Sequence, residues 1–289
     1  MSNSETEKIC LITGASRGLG KALAEHFWQK GWSLILLARG QLPLNEVVRS
    51  LGERTGQSLH TIVADLAHQG EVERIVETAK SLLPRLDTLI NNAGIQGAVG
   101  PIWENEWNEW LETIQVDLLA PVGLCRLIAP WMIENGGGSI INLSGGGATG
   151  PRANFSAYAT AKAGLVRFSE TLAEELKPHN VRVNCIAPGA MGTAMLEEVV
   201  AKGEAAAGKQ EYEIAARVLH GGGASMQRVA ALCHFLASNA SNGITGKLIS
   251  AVWDRWEHWP EHLEELNSSD AYTLRRIAGR DRGFSWGDK

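Results

Sequence analysis

The chain has 289 residues, of which 44% are hydrophobic and 20% are charged, proportions typical of a folded globular protein. Its formal net charge of −5 leaves no basic patch of the kind that nucleic-acid binding requires. No apolar run approaches the roughly eighteen residues of a membrane span. We therefore expect no nucleic-acid partner and no membrane association.

Two features of the sequence indicate the cellular compartment. Residues 1–8 are polar and acidic and contain no apolar signal-peptide core. The cysteines are scattered without any Cys-x-x-Cys pair, which predicts buried reduced thiols. They are Cys10, Cys125, Cys185 and Cys233. We therefore expect a cytoplasmic protein.

Short apolar runs bounded by turn residues recur along the chain, as strands buried on both faces should. Helical patterns lie between most of them, and this alternation predicts a parallel sheet with helices on both faces. The predicted strands are 9–13, 33–38, 61–64, 88–90, 139–143, 181–186 and 247–251. The predicted helices include 20–30, 71–83, 107–134 and 156–177.

The first predicted strand is followed at once by the glycine turn, residues 13–20, with the sequence TGASRGLG. Glycines in this context allow a tight turn and the close approach of a pyrophosphate, whose charge then lies at the N-terminus of the next helix. Strand, glycine turn and helix together predict a dinucleotide-binding turn. The alternative is a turn that is merely tight.

Tyr158 and Lys162 are four residues apart at the start of an alanine-rich helical run that Pro178 ends. This spacing places both side chains on one face of one helix. An ammonium lowers the pKa of a neighbouring phenol, because positive charge favours the phenolate. The pair therefore predicts a tyrosine that exchanges a proton near neutral pH, whereas an isolated pair of this kind would indicate only an amphipathic helix edge.

Four ordered motifs resemble those of the short-chain dehydrogenase/reductase family: the glycine turn, Asn91-Asn92-Ala93-Gly94, Tyr158-x-x-x-Lys162 and Pro188-Gly189. The resemblance is to the single-domain branch of roughly 250-residue enzymes. It implies an α/β fold with a Rossmann-type doubly wound parallel sheet of seven strands and helices on both faces. It also implies one domain over residues 1–252, followed by a Trp-rich C-terminal extension, residues 253–289, that the family pattern lacks.

The resemblance implies an oxidoreductase that transfers a hydride between a nicotinamide and a carbonyl or alcohol substrate. Tyr158 would be the proton donor or acceptor and Lys162 would assist it. The alternative is a cofactor-binding protein of this fold with impaired catalysis, acting as a sensor or partner subunit. The intact Tyr158 and Lys162 favour the enzyme.

The residues after the second predicted strand indicate which cofactor is used. NAD-dependent proteins generally place an acidic residue there for the ribose 2′-hydroxyl, whereas a basic residue accommodates the 2′-phosphate of NADP. This chain has Arg39 at that point and Arg17 in the glycine turn, and two arginines suit a phosphate dianion. We therefore expect NADP(H) in preference to NAD(H), with solvated surface arginines as the alternative.

The family motifs assign further cofactor contacts by position. Asp65 and Leu66 resemble the adenine contact, the 91–94 motif resembles the ribose contact, and Thr193 resembles the contact to the nicotinamide carboxamide. The full expected set is Gly14, Ser16, Arg17, Gly18, Leu19, Gly20, Arg39, Asp65, Leu66, Asn91, Ala93, Gly94, Tyr158, Lys162, Pro188, Gly189 and Thr193.

The serine position departs from the family pattern. The catalytic serine of the family lies thirteen residues before the tyrosine, but position 145 is glycine here. Ser144 is one residue early, and in a continuing strand its side chain would face the opposite side of the sheet unless a bulge turned it. Ser144 is the expected oxyanion donor, with Thr149 or a backbone N–H of the glycine run 145–147 as alternatives.

A second departure lies in the predicted helix 107–134, where Asp117 stands in place of the asparagine that supports a proton relay in the family. A carboxylate can accept hydrogen bonds in its stead, so Asp117 is an expected member of the relay. Its negative charge would also hold the Lys162 ammonium tightly and weaken the effect of that ammonium on Tyr158.

Trp103, Trp107 and Trp110 form a stripe at helical spacing, which most often marks core packing. The resemblance implies that this helix and the Tyr-Lys helix form a subunit interface, so a homodimer or homotetramer is expected. The segment 195–224 corresponds to the mobile substrate-binding region of the family and is expected to act as a lid.

The C-terminal extension begins with three closely spaced tryptophans, Trp253, Trp256 and Trp259. They predict packing on the same domain, with contact to a neighbouring subunit or to the substrate pocket as alternatives. His258 and His262 have metal-like spacing, but Pro260 lies between them and no third ligand is evident. The sequence therefore predicts no metal site.

Overall fold

The computed structural model describes residues 7–286, so most of the polar N-terminal segment and the last three residues of the extension lie outside the described range. Seven parallel strands form one sheet in the order β3-β2-β1-β4-β5-β6-β7, which confirms the predicted fold class. The strands are β1 (Ile9–Thr13), β2 (Ser33–Ala38), β3 (Leu59–Val63), β4 (Thr88–Asn91), β5 (Gly138–Leu143), β6 (Val181–Ala187) and β7 (Leu248–Ser250).

Helices connect the strands and cover both faces of the sheet. They are α1 (Gly18–Gln29), α2 (Gln41–Leu51), α3 (Glu71–Leu82), α4 (Trp107–Ile114), α5 (Ala120–Glu134), α6 (Ser156–Leu176), α7 (Ala194–Ala207), α8 (Lys209–Arg217), α9 (Met226–Ala237) and α10 (Leu263–Ser268). A π-helical turn, Gln115–Leu119, joins α4 to α5. The sequence pattern predicts α1, α3 and α6 to within two residues at either end, but it predicts neither α2 nor α9.

The order in which the chain adds strands to the sheet reverses after β3, so that β1 lies between β2 and β4. Leu11 of β1 lies opposite Ile35 of β2 on one side and Leu89 of β4 on the other. From this point the strands run outwards in opposite chain order, so the switch point lies between β1 and β4. Ligands of such sheets bind beyond the carboxyl ends of the strands at this point.

Alternating side chains along β1 divide the core into two clusters. Ile9 and Leu11 belong to the cluster under α3, α5 and α6, whereas Cys10 and Ile12 belong to the cluster under α1 and α9. Successive side chains of a strand point to opposite faces, and both faces of this sheet are covered by helices. This is why the strand segments read as continuous apolar runs.

All four cysteines are buried and free, as the sequence predicts. Burial raises the pKa of Cys125 and of Cys185 to about 12, although hydrogen bonds with Asn91 and Ser169, respectively, oppose the shift. The two thiols therefore stay protonated at neutral pH.

The tryptophan stripe is not part of the core. Trp103 lies in a 3₁₀ turn before α4 and is 81% exposed, and Trp107 is 59% exposed. Trp107 stacks on Trp110 with 5.1 Å between ring centroids, and the indole N–H of Trp110 donates to Ser156 at the start of α6. The prediction of core packing is wrong here, because helical spacing identifies residues that share a face and does not show what covers that face.

The helix of α4, the π turn and α5 is continuous over Trp107–Glu134. Its most apolar window has a mean hydropathy of 1.6, enough by length and composition to cross a membrane, and 56% of that window is buried inside the fold. The expectation that no apolar stretch approaches this length is therefore corrected. Core helices of soluble proteins meet the same criteria, so the finding is weak evidence for a membrane span.

The C-terminal extension packs against the same sheet. Trp256 and Trp259 are buried in the cluster under α1 and α9. The buried ammonium of Lys247 donates to three backbone carbonyls of the extension, and the N–H of Leu248 in β7 donates to the carbonyl of Tyr272. The extension therefore covers the outer edge of β7, which would otherwise be an open strand edge.

Candidate active site

A cleft of about 1270 Å³ opens at the carboxyl ends of the strands, where the topology places the ligand site. Its walls come from the loops after β1 to β6, from α7 and α8, and from the start of the C-terminal extension. All residues predicted for the site line this cleft, with the exception of Asn91 and Asp117.

Steric constraints determine the glycine turn at two positions. Gly14 has a φ of 67°, and a Cβ on it would lie 2.9 Å from the Cα of Ala93. A Cβ on Gly20 would overlap the carbonyl oxygen of Gly14 and lie 2.7 Å from the side-chain nitrogen of Asn92. Because neither position admits a side chain, the N-terminus of α1 stays open to the cleft. A cradle of this kind fits a pyrophosphate.

Hydrogen bonds connect the glycine turn to the loop after β4. The hydroxyl oxygen of Thr13 accepts from the N–H of Asn92 at 3.0 Å and of Ala93 at 2.9 Å. The side-chain amide of Asn92 donates to the carbonyl of Thr13 at 2.8 Å. These bonds hold the ends of β1 and β4 side by side and so fix the floor of the cleft.

Asn91 does not line the cleft, although the motif assigns it a cofactor contact. It is buried and donates to the side-chain oxygen of Asn142 on β5 at 2.8 Å. Neighbouring residues of a strand end point to opposite sides, and Asn92 takes the side of the cleft. We therefore move the expected contact from Asn91 to Asn92, Ala93 and Gly94.

Arg17 of the glycine turn and Arg39 directly after β2 both line the cleft. The part of the cleft formed by these two neighbouring loops is named the adenosine end, after the cofactor group expected there. Both side chains are exposed, and neither has an ion-pair or hydrogen-bond partner among residues 7–286. Their charges are therefore available to an anionic group that enters this end of the cleft.

Tyr158 lies in the first turn of α6 and is buried. A Cβ on Gly145 would overlap the tyrosine hydroxyl and lie 2.9 Å from the Cζ atom of the ring. Position 145 thus faces the hydroxyl directly, as the serine of the family would. With glycine at that position, the phenol occupies the space that a side chain would need.

Ser144 lies in a loop, because β5 ends at Leu143 and strand alternation no longer applies beyond it. It is among the residues that line the cleft, where it is expected as the oxyanion donor. Its hydroxyl oxygen is buried without a hydrogen-bond partner in the described part of the chain. A buried hydroxyl in this condition can donate to a group bound in the cleft.

Lys162 connects the cleft to the buried Asp117. The Lys162 ammonium lies 3.2 Å from the Oδ2 atom of Asp117 and donates to the carbonyl of Leu143. The other carboxylate oxygen of Asp117 accepts from the N–H of Ile95 at 2.9 Å. The ammonium also lies 5.4 Å from the ring centroid of Tyr158. Asp117 therefore influences the cleft through Lys162 and does not line it.

Burial is the largest single influence on the pKa of each of these three groups. It raises the pKa of Tyr158, with Lys162 opposing the shift and Asp117 reinforcing it. It lowers the pKa of Lys162, but the charges of Asp117 and Tyr158 outweigh it and the net shift is upward. Burial also raises the pKa of Asp117 against the opposing charge of Lys162. The expectation of a lowered phenol pKa is therefore wrong, whereas the expected weakening effect of Asp117 agrees with the structure.

Two charged residues of the cleft are absent from the set of site residues predicted from the sequence. The guanidinium of Arg152 donates through Nε and Nη2 to one carboxylate oxygen of Glu211 on α8, at 3.0 and 2.8 Å. Its Cζ atom lies 3.8 Å from the ring centroid of Phe155 and 5.6 Å from that of Tyr158. The pair is separated by 59 residues, so the only sequence signal is an arginine in the glycine-rich loop before the tyrosine.

The expected lid segment is helical and packs on the catalytic loop. Val199 of α7 and Ala215 of α8 are buried in one cluster with Phe155 and Tyr158. Gly208, with a φ of 84°, separates the two helices. The glycines of this segment therefore mark helix junctions.

The tryptophans of the extension differ in position. Trp253 is 84% exposed and lines the cleft, whereas Trp256 and Trp259 belong to the core. The neighbouring Asp254 accepts from the N–H of Ser250 at 2.7 Å, which holds the turn that carries Trp253. Within residues 7–286, no group of three or more His, Cys, Asp or Glu side chains is arranged to hold a metal ion.

Comparison with known proteins places this cleft in context. A family model of short chain dehydrogenases matches residues 8–204. The chain is 31% identical to the 3-oxoacyl-(acyl-carrier-protein) reductase FabG of Thermotoga maritima, over 84% of this chain and 95% of that protein.

Two solved structures are similar throughout their length. An NAD+-bound xylitol dehydrogenase has a TM-score of 0.76 at 26% identity, covering 86% of this chain and 98% of the other. YwfH, an NADPH-dependent reductase involved in bacilysin biosynthesis, has a TM-score of 0.76 at 28% identity, covering 85% and 97%. These names support a nicotinamide cofactor and do not choose between NAD and NADP.

Proposed function

This chain belongs to the short-chain dehydrogenase/reductase family of NAD(P)-dependent oxidoreductases, and from this premise we propose that it uses NADP(H) to interconvert a carbonyl and an alcohol on a small molecule. The observation that carries the proposal is the juxtaposition of Tyr158 and Lys162, 5.4 Å apart from ring centroid to ammonium, in the cleft that the glycine turn opens. When bound, the nicotinamide supplies or accepts the hydride.

Tyr158 performs the proton transfer in this proposal. In reduction, its hydroxyl gives a proton to the carbonyl oxygen while the carbonyl carbon gains the hydride, and the phenolate then regains a proton from solvent. Oxidation follows the same steps in reverse. Lys162 stabilises the phenolate by its charge, and Asp117 fixes the position of the ammonium through the 3.2 Å contact.

Ser144 is the proposed oxyanion donor, since the residue lines the cleft and its buried hydroxyl has no hydrogen-bond partner among the described residues. Loss of one preorganised donor typically costs about 10²–10³ in turnover. The presence of glycine at position 145 in place of the family serine therefore predicts a slower enzyme and does not by itself predict an inactive one.

The proposed preference for NADP(H) rests on Arg17 and Arg39. Both are exposed cations at the adenosine end of the cleft, and no acidic residue directly follows β2. Guanidinium groups suit the charge of the 2′-phosphate, whereas they cannot accept the hydrogen bond of a ribose 2′-hydroxyl as a carboxylate does.

A second function, cofactor binding without efficient catalysis, is favoured by one observation: Gly145 leaves Tyr158 without the hydroxyl that the family places beside it. Fluorescence titration with NADPH and NADH, followed by turnover assays on a panel of aldehydes, ketones and alcohols, separates the two. We expect NADPH to bind at least about tenfold more tightly than NADH and to support turnover. Tight NADPH binding without turnover on the whole panel would favour the second function, and a preference for NADH would contradict the cofactor assignment.

We further propose that the protein assembles as a homodimer or homotetramer and works in the cytoplasm. Trp103 and Trp107 are exposed around the start of α4, and Trp110 of the same helix contacts α6 through Ser156, so these rings support an interface between copies. A monomeric mass by light scattering would contradict this assembly.

A further inference from the structure

Arg152 is the cation of the catalytic loop that the family motifs leave without a role. Its side chain lies along the glycine run, and the guanidinium carbon would be 3.8 Å from a Cβ on Gly146. A Cβ on Gly147 would lie 3.3 Å from the Cβ of Arg152. The first of these distances is an ordinary van der Waals contact and only the second is tight, so Arg152 packs directly against the glycine run that precedes Tyr158.

The position of Arg152 is held from three sides. Its guanidinium stacks on Phe155 and donates two charge-assisted hydrogen bonds to one oxygen of Glu211, and only 14% of its side chain is exposed. Such a cation interacts more strongly with its neighbours than a solvated one, because water screens it less. On the side of the cleft that holds the phenol, Tyr158 lies 5.6 Å away from ring centroid to guanidinium.

We propose that Arg152 is a positioning residue for Tyr158. The positive charge of Arg152 favours the phenolate form of Tyr158, and the ion pair with Glu211 sets how strongly this charge acts. The inference rests on the proposed proton-transfer role of Tyr158. Glu211 belongs to α8, so the packing of this helix on the loop determines how much of the arginine charge reaches the phenol.

The charged groups around Tyr158 set the direction of the expected effects. Lys162 and Arg152 favour the phenolate, whereas Asp117 disfavours it. Glu211 neutralises Arg152 directly. Two further carboxylates line the same cleft, Glu197 on α7 and Asp254 in the extension. Removal of Arg152 and removal of Glu211 should therefore move the titration of Tyr158 in opposite directions.

The test needs no substrate, because the chain has three tyrosines and each gives one NMR signal when labelled at the ring Cζ carbon. Tyr158→Phe assigns the signal of interest. We expect its titration midpoint to move to higher pH in Arg152→Gln and to lower pH in Glu211→Gln, with Arg152→Lys close to the wild type. A midpoint that moves by about one pH unit changes the phenolate fraction about tenfold at a fixed pH below the midpoint. Lys209→Gln, a loss of charge at the exposed start of α8, should leave the midpoint unchanged.

A merely structural ion pair predicts a different result. Breaking it from either side would then move the Tyr158 titration in the same direction, or not at all, and either outcome would overturn the inference. Because Glu211→Gln and Arg152→Lys keep hydrogen-bonding groups in place, the inference remains testable if Arg152→Gln does not fold. Opposite shifts in a protein that shows no turnover would support the role of Arg152 and contradict the proposed function. Turnover without opposite shifts would support the proposed function and contradict the role of Arg152.

Discussion

The two ends of the cleft relate to the family pattern in different ways. At the adenosine end, Gly14 and Gly20 occupy positions where a Cβ would meet backbone or buried atoms, so the backbone path depends on them. At the catalytic end, Gly145 replaces a hydroxyl, and charged groups from α8 and from the π turn surround Tyr158. A steric requirement therefore demands one residue type at one position, whereas electrostatic support for a reactive group can come from different parts of the chain.

The largest expected effect lies at the adenosine end. Gly20→Ala forces a Cβ to overlap the backbone carbonyl of Gly14, which cannot give way as a flexible side chain could. We expect the free energy of unfolding to fall by about 3 kcal/mol and NADPH binding to be lost at concentrations that saturate the wild type. Chemical denaturation and fluorescence titration measure the two quantities. Gly150→Ala, where nothing lies within 4 Å of the new Cβ, is the control.

Gly145→Ala tests the catalytic end separately. The new Cβ would displace the phenol of Tyr158, and a misplacement of about 1 Å at a reacting group can cost about 10² in rate. We expect kcat to fall about a hundredfold while the Kd for NADPH stays within twofold of the wild type. Steady-state kinetics and a binding titration on the same preparation provide the check. A joint loss of binding and turnover would show that the two ends are not separable.

Replacement of the two arginines at the adenosine end should produce a smaller effect that depends on the cofactor. Arg17→Gln and Arg39→Gln each remove one of the charges proposed to bind the 2′-phosphate, and we expect each to weaken NADPH binding about tenfold. NADH affinity should not change. Arg126→Gln, an exposed arginine of α5 outside the cleft, is the matched control. Equal loss for both cofactors would mean that the arginines contact a group that NAD shares.

The smallest effect is expected at the mouth of the cleft. Trp253→Ala removes an exposed indole that no core contact needs, so stability should not change. We expect the KM for apolar carbonyl substrates to rise about threefold with kcat unchanged, because contact area is lost without any change at Tyr158. Trp286→Ala removes a similarly exposed indole outside the cleft and should leave KM unaltered.

Much of the fold can be predicted from the sequence because it depends on local patterns. The bounds of β1 and β2 follow from apolar runs between turn residues, and the glycine turn follows from steric need. Helix α2 escapes prediction since only Leu44 and Val47 are buried along it, too weak a pattern to recognise. The exposure of Trp103 and Trp107 escapes it as well, because a stripe carries no information about its partner.

The site is predictable only where the family motif specifies a residue. Tyr158 and Lys162 line the cleft as the motif implies, and the effect of Asp117 on Lys162 follows from charge alone. The net pKa direction of Tyr158 does not follow, because burial outweighs the neighbouring ammonium and burial is a property of the fold. The sequence does not predict the pairing of Arg152 with Glu211, because nothing local marks two opposite charges that lie 59 residues apart in the chain.

The central claim is that Tyr158 transfers the proton at this altered site. Tyr158→Phe removes the hydroxyl and keeps the ring that packs with Phe155 and Val199, so folding should be retained. With a substrate from the panel, the direct measurement is kcat of this variant beside its Kd for NADPH. We predict a fall in kcat of about 10²–10⁴ with unchanged NADPH affinity. Turnover equal to that of the wild type would contradict the account.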